Sequence, residues 1–146
     1  MRIIGLDVGS KTIGVAVSDP LGWTAQGLTT IRRRSLAEDL TAVCQFIREY
    51  EAREALIGLP LNMNGSRGPQ AQVVEQFAAD LQQAAQAAGL ALTITLRDER
   101  LSTVAAERVL LAGDVSRRGR KQVIDKMAAV LILQGYLDYL QRDMPK

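Results

Sequence analysis

The sequence predicts an α/β domain in which a mixed β-sheet carries helices on its faces. Three strand-like segments come first and are joined by links of a few residues, which favours an antiparallel meander. Helical and strand patterns then alternate, which is typical of strands paired in parallel through crossover helices. A chain of 146 residues is long enough for one buried core, so residues 1–146 are expected to form a single domain.

The three opening strands are predicted from apolar runs and the turns between them. Arg2–Val8 is mostly apolar, and Thr12–Ser18 carries β-branched residues at alternate positions. The segment 9–11, Gly-Ser-Lys, is a turn. Residues 19–22, Asp-Pro-Leu-Gly, are also typical of a turn, so 23–31 is expected to be the third strand.

The later elements are predicted from helix caps and hydrophobic periodicity. Ser35 and Glu38 form a capping box, and Gly89 is a typical C-terminal cap. Ser102 or Thr103 is expected to cap a further helix. The predicted order is a helix over 35–51, a strand over 55–59, a helix over 69–88, a strand over 90–96, a helix over 103–112, a basic loop over 113–121 and a final helix over 123–141.

The composition excludes several classes of function. There is no histidine, which excludes Ser-His-Asp and Cys-His nucleophiles, histidine-ligated zinc and a histidine general base. Cys44 is the single cysteine, so no internal disulfide is possible and a reducing compartment is expected. Because the sequence also shows no signal peptide and no membrane-spanning run, we expect a cytoplasmic protein with no membrane partner.

Three acidic residues stand at the ends of apolar runs, and they indicate an oxygen-ligated divalent cation. These are Asp7, Glu99 and Asp125. Oxygen ligands favour Mg²⁺ or Mn²⁺. Simpler explanations stay open. Asp7 could be exposed at the end of its strand or cap the following turn, and Glu99 could belong to a solvated turn. Asp125 could be favoured in the first turn of a helix by the macrodipole. Only one of the adjacent Asp98 and Glu99 is expected to reach a common site.

The basic residues are clustered, although the net charge is only +2. One cluster is Arg32–Arg34. The other lies in the predicted loop before the final helix, at Arg117, Arg118, Arg120 and Lys121. Such clusters are either solvated loop residues or contacts to nucleic-acid phosphates, and sequence alone does not show which.

Four blocks of the sequence resemble the YqgF family of Holliday junction resolvases, also described as pre-16S ribosomal RNA nucleases. They are GLDVGSKTIGVA at 5–16, GLPLNMNGS at 58–66, DERLST at 98–103 and IDKMAA at 124–129. The blocks follow one another in the family's order, and the resemblance covers nearly the whole chain. Thr12 is a departure, because many members of the family carry a basic residue at that position.

The resemblance implies a fold similar to that of ribonuclease H and the RuvC resolvase, with a five-stranded mixed sheet in the order 3-2-1-4-5. It also implies that Asp7, Glu99 and Asp125 are both the catalytic residues and the ligands of Mg²⁺ or Mn²⁺, as two ions. The residues expected to contact substrate phosphates are Lys11, Arg100, Arg117, Arg118, Arg120 and Lys121.

The function implied is metal-dependent hydrolysis of phosphodiester bonds in structured nucleic acid, with the 5′ end of pre-16S ribosomal RNA as the favoured substrate. The alternatives are Holliday junction resolution and a non-catalytic nucleic-acid-binding factor. The first turn also resembles the phosphate-binding hairpin of actin-like and sugar-kinase ATPases, but a chain of this length has room for one of their two lobes. We expect a monomer or a weak homodimer, since junction resolution requires two active sites.

Overall fold

A computed structural model describes residues 2–102 and 117–142, and it confirms the predicted α/β architecture. Its five strands form one sheet in the order β3-β2-β1-β4-β5. The strands are β1 (Arg2–Val8), β2 (Thr12–Ser18), β3 (Ala25–Arg32), β4 (Ala52–Leu59) and β5 (Thr93–Asp98). The helices are α1 (Leu36–Glu49), α2 (Pro69–Ala87) and α3 (Arg117–Arg142), and a 3-10 turn covers Glu99–Leu101.

The sheet is mixed, as the short first links and the later crossovers predicted. β1 pairs antiparallel with β2, and β2 pairs antiparallel with β3. β1 pairs parallel with β4, and β4 pairs parallel with β5. The C-terminal ends of β1, β4 and β5 therefore lie at one edge of the sheet, which we call the carboxyl edge.

The two faces of the sheet are covered by different helices. Ile4 and Leu6 of β1 belong to the larger core, which also contains residues of α1 and α2. Leu56 of β4 belongs to a second core with residues of α3. Because side chains alternate along a strand, Gly5 and Asp7 point to the α3 face.

α3 approaches the centre of the sheet closely because β1 has a glycine there. A Cβ atom built on Gly5 would lie 2.9 Å from Leu133 Cβ and 3.3 Å from the carbonyl oxygen of Ala129. The same helix reaches the turn between β2 and β3, where Gln141 Nε2 donates to the carbonyl oxygen of Gly22 at 3.0 Å. α3 thus packs on the central strand β1 and also contacts the turn between β2 and β3. No helix in the described ranges is long and apolar enough to cross a membrane.

The predicted caps of the first two helices are confirmed. Ser35 Oγ accepts a hydrogen bond from the backbone N–H of Glu38 at 3.2 Å. Gly89 has a φ of +74° after the end of α2, and the N–H of Leu90 donates to the carbonyl oxygen of Ala85 at 2.9 Å. A left-handed glycine with such a bond is typical of a helix C-terminus.

Several predicted boundaries are wrong. β5 covers Thr93–Asp98 instead of 90–96, and α3 begins at Arg117 instead of residue 123. The basic residues of 117–121 therefore start a helix, which is consistent with the high helix propensity of Arg and Lys; the glycine at 119 costs only ~1 kcal/mol. Asp125 is consequently not in the first turn. The predicted helix over 103–112 and the loop residues 113–116 lie outside the described residues.

Candidate active site at the carboxyl edge

Asp7 is a buried carboxylate near the end of the central strand. It is 5% exposed, pairs in register with Gly14 of β2 and points to the α3 face. A charged group in such a place is costly unless other groups compensate for its lost hydration. No buried side-chain nitrogen or oxygen in the described part of the chain lacks a hydrogen-bond partner. The burial excludes the simpler explanation that Asp7 is an exposed strand end.

Glu99 folds back over β4 because position 58 has no side chain. A Cβ atom built on Gly58 would lie 2.9 Å from Glu99 Oε1 and 2.6 Å from Ile132 Cδ1. The Glu99 carboxylate therefore occupies space directly above the β4 backbone, on the face that α3 covers. Sequence reasoning placed Glu99 at a strand end but missed Gly58, which makes room for it.

The register of the parallel strands brings Asp7 and Glu99 together. Leu6 of β1 pairs with Ile57 of β4, so the next position along each strand sets Asp7 beside Gly58. Neighbouring strands lie about 4.8 Å apart. The Glu99 carboxylate above Gly58 and the Asp7 carboxylate therefore lie on the same face of the sheet, over neighbouring positions of β4 and β1.

Asp98 forms a separate ion pair. Its carboxylate accepts hydrogen bonds from Arg100, with Oδ2 2.7 Å from Arg100 Nη2 and Oδ1 2.9 Å from the backbone N–H of Arg100. These bonds, with the positive charge of Arg100, lower the pKa of the Asp98 carboxyl. Arg100 also donates to the carbonyl oxygen of Met63 at 3.2 Å. Of the two adjacent carboxylates, Glu99 lies over Gly58 and Asp98 is neutralised by Arg100.

Asp125 lies in α3, and its side chain is outside the described residues, as are the side chains of Arg117, Arg118, Arg120 and Lys121. Among the described side chains, no three Cys, Asp or Glu residues are grouped so that they could hold a metal ion. Of the three predicted ligands, the structure describes the side chains of Asp7 and Glu99, both at the carboxyl edge. The contribution of Asp125 and the phosphate contacts of the basic cluster stay predictions.

Lys11 is exposed in the turn that follows β1, and this turn is fixed by Arg33. Arg33 Nη1 donates to the carbonyl oxygen of Gly9 at 3.0 Å, and its backbone N–H donates to the carbonyl oxygen of Lys11 at 2.9 Å. Arg33 Nε in turn lies 3.0 Å from Oδ2 of Asp39, which is 3% exposed. The sequence indicated only a basic cluster at Arg32–Arg34. The signal for the partner of Arg33 was Asp39, an acidic residue of α1.

A family model and several similar proteins point to the same family. A family model described as "RuvX: Holliday junction resolvase" matches residues 1–139. A Moorella thermoacetica protein named "Putative pre-16S rRNA nuclease" is 64% identical over 140 residues, covering 96% of both chains. A Bacillus thuringiensis protein with the same name is 52% identical over 142 residues, covering 94% of this chain and 98% of that one.

The fold is similar to that of solved resolvases. Thermus thermophilus RuvC in complex with a Holliday junction substrate superposes with a TM-score of 0.63 at 12% identity, covering 98% of this chain and 97% of that one. The fowlpox virus Holliday junction resolvase gives 0.51 at 14% identity, covering 99% of this chain and all of that one. At these identities the similarity concerns the fold alone.

Proposed function

The chain belongs to the RuvX family of Holliday junction resolvases, and from this membership we infer that it is a divalent-metal-dependent nuclease that hydrolyses phosphodiester bonds in nucleic acid. The observation that carries the proposal is the buried carboxylate of Asp7 beside Glu99 at the carboxyl edge. Two adjacent carboxylates with a helix packed over them form an oxygen-only donor set, which suits Mg²⁺ or Mn²⁺ better than softer metals.

The third ligand of the proposed site is Asp125. This residue precedes Ala129 by one helical turn, and the Ala129 carbonyl lies against Gly5 of β1. Ile132 contacts Gly58, and Tyr136 contacts Glu54 earlier in β4, so α3 runs antiparallel to β1 and β4. Helical periodicity then carries position 125 toward the level of Asp7. This geometry supports Asp125 as a ligand.

The chain's own residues have a simple part in the proposed chemistry. Asp7, Glu99 and Asp125 would hold the metal, and the buried position of Asp7 keeps its carboxylate fixed. A pair of Mg²⁺ or Mn²⁺ ions held there would supply the activation of a water and the stabilisation of the leaving 3′-oxygen of the phosphodiester. No histidine is needed as a general base, which fits a chain that has none.

The substrate we favour is the 5′ end of pre-16S ribosomal RNA, which places the enzyme in the cytoplasm. The relatives that support this carry the name pre-16S rRNA nuclease and match almost the whole chain. The family description favours a second candidate, the Holliday junction. Symmetric cleavage of a junction requires two active sites and hence a dimer, whereas trimming an RNA end requires one.

A cleavage assay separates these candidates. Purified protein is incubated with a labelled 5′-extended 16S precursor fragment and, separately, with a four-way DNA junction. We expect Mg²⁺ and Mn²⁺ to support cleavage of the RNA. Ca²⁺ is expected to support binding but not cleavage, since its larger and looser coordination aligns the water poorly. Cleavage that persists in excess chelator contradicts the metal mechanism, and cleavage of the junction alone reverses the choice of substrate.

The basic start of α3 is proposed to contact substrate phosphates, together with Lys11 and Arg100. Replacing the four cations of 117–121 with alanine should weaken binding and reduce its dependence on salt. For each phosphate that the protein no longer neutralises, the slope of log K against log salt becomes shallower by about 0.9 on duplex. Arg53→Ala is the control, because Arg53 is exposed near the start of β4, at the end of the sheet opposite the carboxyl edge. Equal slopes in the quadruple variant and the wild type would exclude these residues from binding.

A further inference from the structure

A stack of three side chains lies on the α3 face of β5, next to the candidate active site. Tyr136 and Tyr139 of α3 have ring centroids 6.5 Å apart and ring planes 19° apart. The guanidinium carbon of Arg97 lies 5.8 Å from the Tyr136 centroid and 4.9 Å from the Tyr139 centroid. An arginine in contact with two nearly parallel rings presents both a flat surface and a positive charge.

The inner member of the stack is fixed. The Tyr136 hydroxyl donates to Oε2 of Glu54 at 2.7 Å, and Thr95 Oγ1 donates to the same oxygen at 2.8 Å. Burial, together with the hydrogen bond to Glu54, raises the pKa of Tyr136 to about 12. Tyr136 is thus held in one position as a neutral phenol, and it supports the ring of Tyr139.

Two members of the stack reach solvent. Tyr139 is 47% exposed, and Arg97 is half-buried. Arg97 takes part in none of the ion pairs of the described residues, all of which involve other arginines. The stack therefore offers solvent an aromatic surface beside a guanidinium that forms no ion pair with the carboxylates described in the structure.

The strand register sets the Arg97 end of this stack beside the proposed catalytic carboxylates. Arg97 pairs with Gly58 in the parallel β4–β5 ladder, and Gly58 is the position over which Glu99 folds. Arg97 also lies two residues before Glu99, so its backbone is at the level of the site. The stack extends from Arg97 toward the amino end of β4, where the Tyr136 hydroxyl binds Glu54. A nucleic-acid strand that leaves Glu99 and Asp7 in this direction would meet Arg97 and then the two rings.

We propose that Arg97, Tyr136 and Tyr139 form a stacking platform for an unpaired base next to the cleaved phosphate. An aromatic face accepts any base, and the adjacent guanidinium attracts the phosphate backbone. A base inside a duplex is already stacked on its neighbours and cannot lie on the platform. The inference rests on the proposed function and narrows its substrate to nucleic acid with an unpaired strand beside the cleavage position.

Binding measurements in Ca²⁺, where we expect no cleavage, test the platform. The probe is a labelled RNA hairpin with an unpaired 5′ extension, and its affinity is measured by fluorescence anisotropy. Tyr139→Ala should weaken binding about fivefold or more, because stacking of one base on an aromatic side chain contributes ~1–3 kcal/mol. Tyr139→Phe and Tyr139→Trp should retain affinity. Trp23→Ala is the matched control, an aromatic residue that is 59% exposed at the far end of the sheet.

A second probe series identifies the base that stacks. Single abasic sites are placed along the unpaired extension, and each probe is tested against wild type and Tyr139→Ala. We expect one position at which loss of the base weakens wild-type binding but leaves the binding of the variant unchanged. Equal losses in both proteins at every position would overturn the platform, as would equal affinity of Tyr139→Ala and wild type for the intact probe.

Different results would contradict the proposed nuclease function and the stacking platform. If wild-type protein binds neither the hairpin nor its fully paired counterpart, the proposed function fails and the platform fails with it. If wild-type protein binds the probe and cleaves it in Mg²⁺ but is insensitive to abasic sites, only the platform is overturned. A fold defect is recognised separately, since thermal melts of Tyr139→Ala and Trp23→Ala are compared with that of wild type.

Discussion

Replacing Asp7 with asparagine should abolish cleavage and leave the metal-free protein at least as stable as wild type. The substitution keeps the shape of the side chain and removes a negative charge that lies buried beside Glu99. Like charges over neighbouring strands repel each other, so removing one of them should stabilise the folded, metal-free protein. We expect the rate to fall by at least ~10²–10³-fold, the loss typical of a single group that stabilises the transition state.

Thermal melts with and without Mg²⁺ measure the other half of this prediction. A ligand that binds only the folded protein raises its stability, by about 2.7 kcal/mol at a hundredfold excess over Kd. The Mg²⁺ shift should be large in wild type and small in Asp7→Asn. Asp80→Asn, on α2, is the control and should keep the full shift. A destabilised Asp7→Asn protein with an intact Mg²⁺ shift would mean that Asp7 is structural.

Gly58→Ala should greatly reduce cleavage at a modest cost in stability. The new methyl group meets Glu99 Cγ and Oε1 at 2.9 Å and Ile132 Cδ1 at 2.6 Å, so both side chains must shift, and neither contact is with the backbone. Rotation of Glu99 moves its carboxylate away from Asp7. The expected result is a loss of at least ~10²-fold in kcat, of the size caused by a small misplacement of a catalytic group.

Two further variants separate displacement of Glu99 from overpacking. Ile132→Val removes the Cδ1 atom that the new methyl meets, so the Gly58→Ala/Ile132→Val double variant should regain stability but not activity. Gly5→Ala is the opposite case, because its methyl meets Leu133 Cβ and a backbone oxygen, neither of which can rotate away. It should cost ~1–3 kcal/mol of stability. Recovery of cleavage in the double variant would contradict a role for Glu99.

The sequence predicted the sheet well where local chemistry decides the structure. The alternating β-branched residues of Thr12–Ser18 and the capping serine of α1 both have the predicted structure. The alternation of 90–96 was misleading, since the segment before Thr93 is outside the strand although Leu92 is buried. Apolar residues next to a sheet pack into its core whether or not they pair, so periodicity does not mark the first paired residue.

The candidate site was predictable only in part, because its supports depend on tertiary contacts. Asp7 and Glu99 could be located from strand ends. The room that Gly58 makes for Glu99 depends on where α3 packs, and the contact between Arg33 and Gly9 depends on how β3 leads into α1. Neither leaves a pattern in the sequence, because each joins residues that are at least 24 positions apart.

The hydrogen bond between Gly22 and Gln141 joins residues 119 positions apart, which has a consequence for synthesis on the ribosome. Strands β1 to β3 emerge first, with the α3 face of the sheet uncovered. That face stays uncovered until residue 141 has been made and released, because closing so long a loop comes late in folding. A nascent chain therefore carries Asp7 long before it has an enclosed site, and a nuclease of this design stays inactive until α3 has been made.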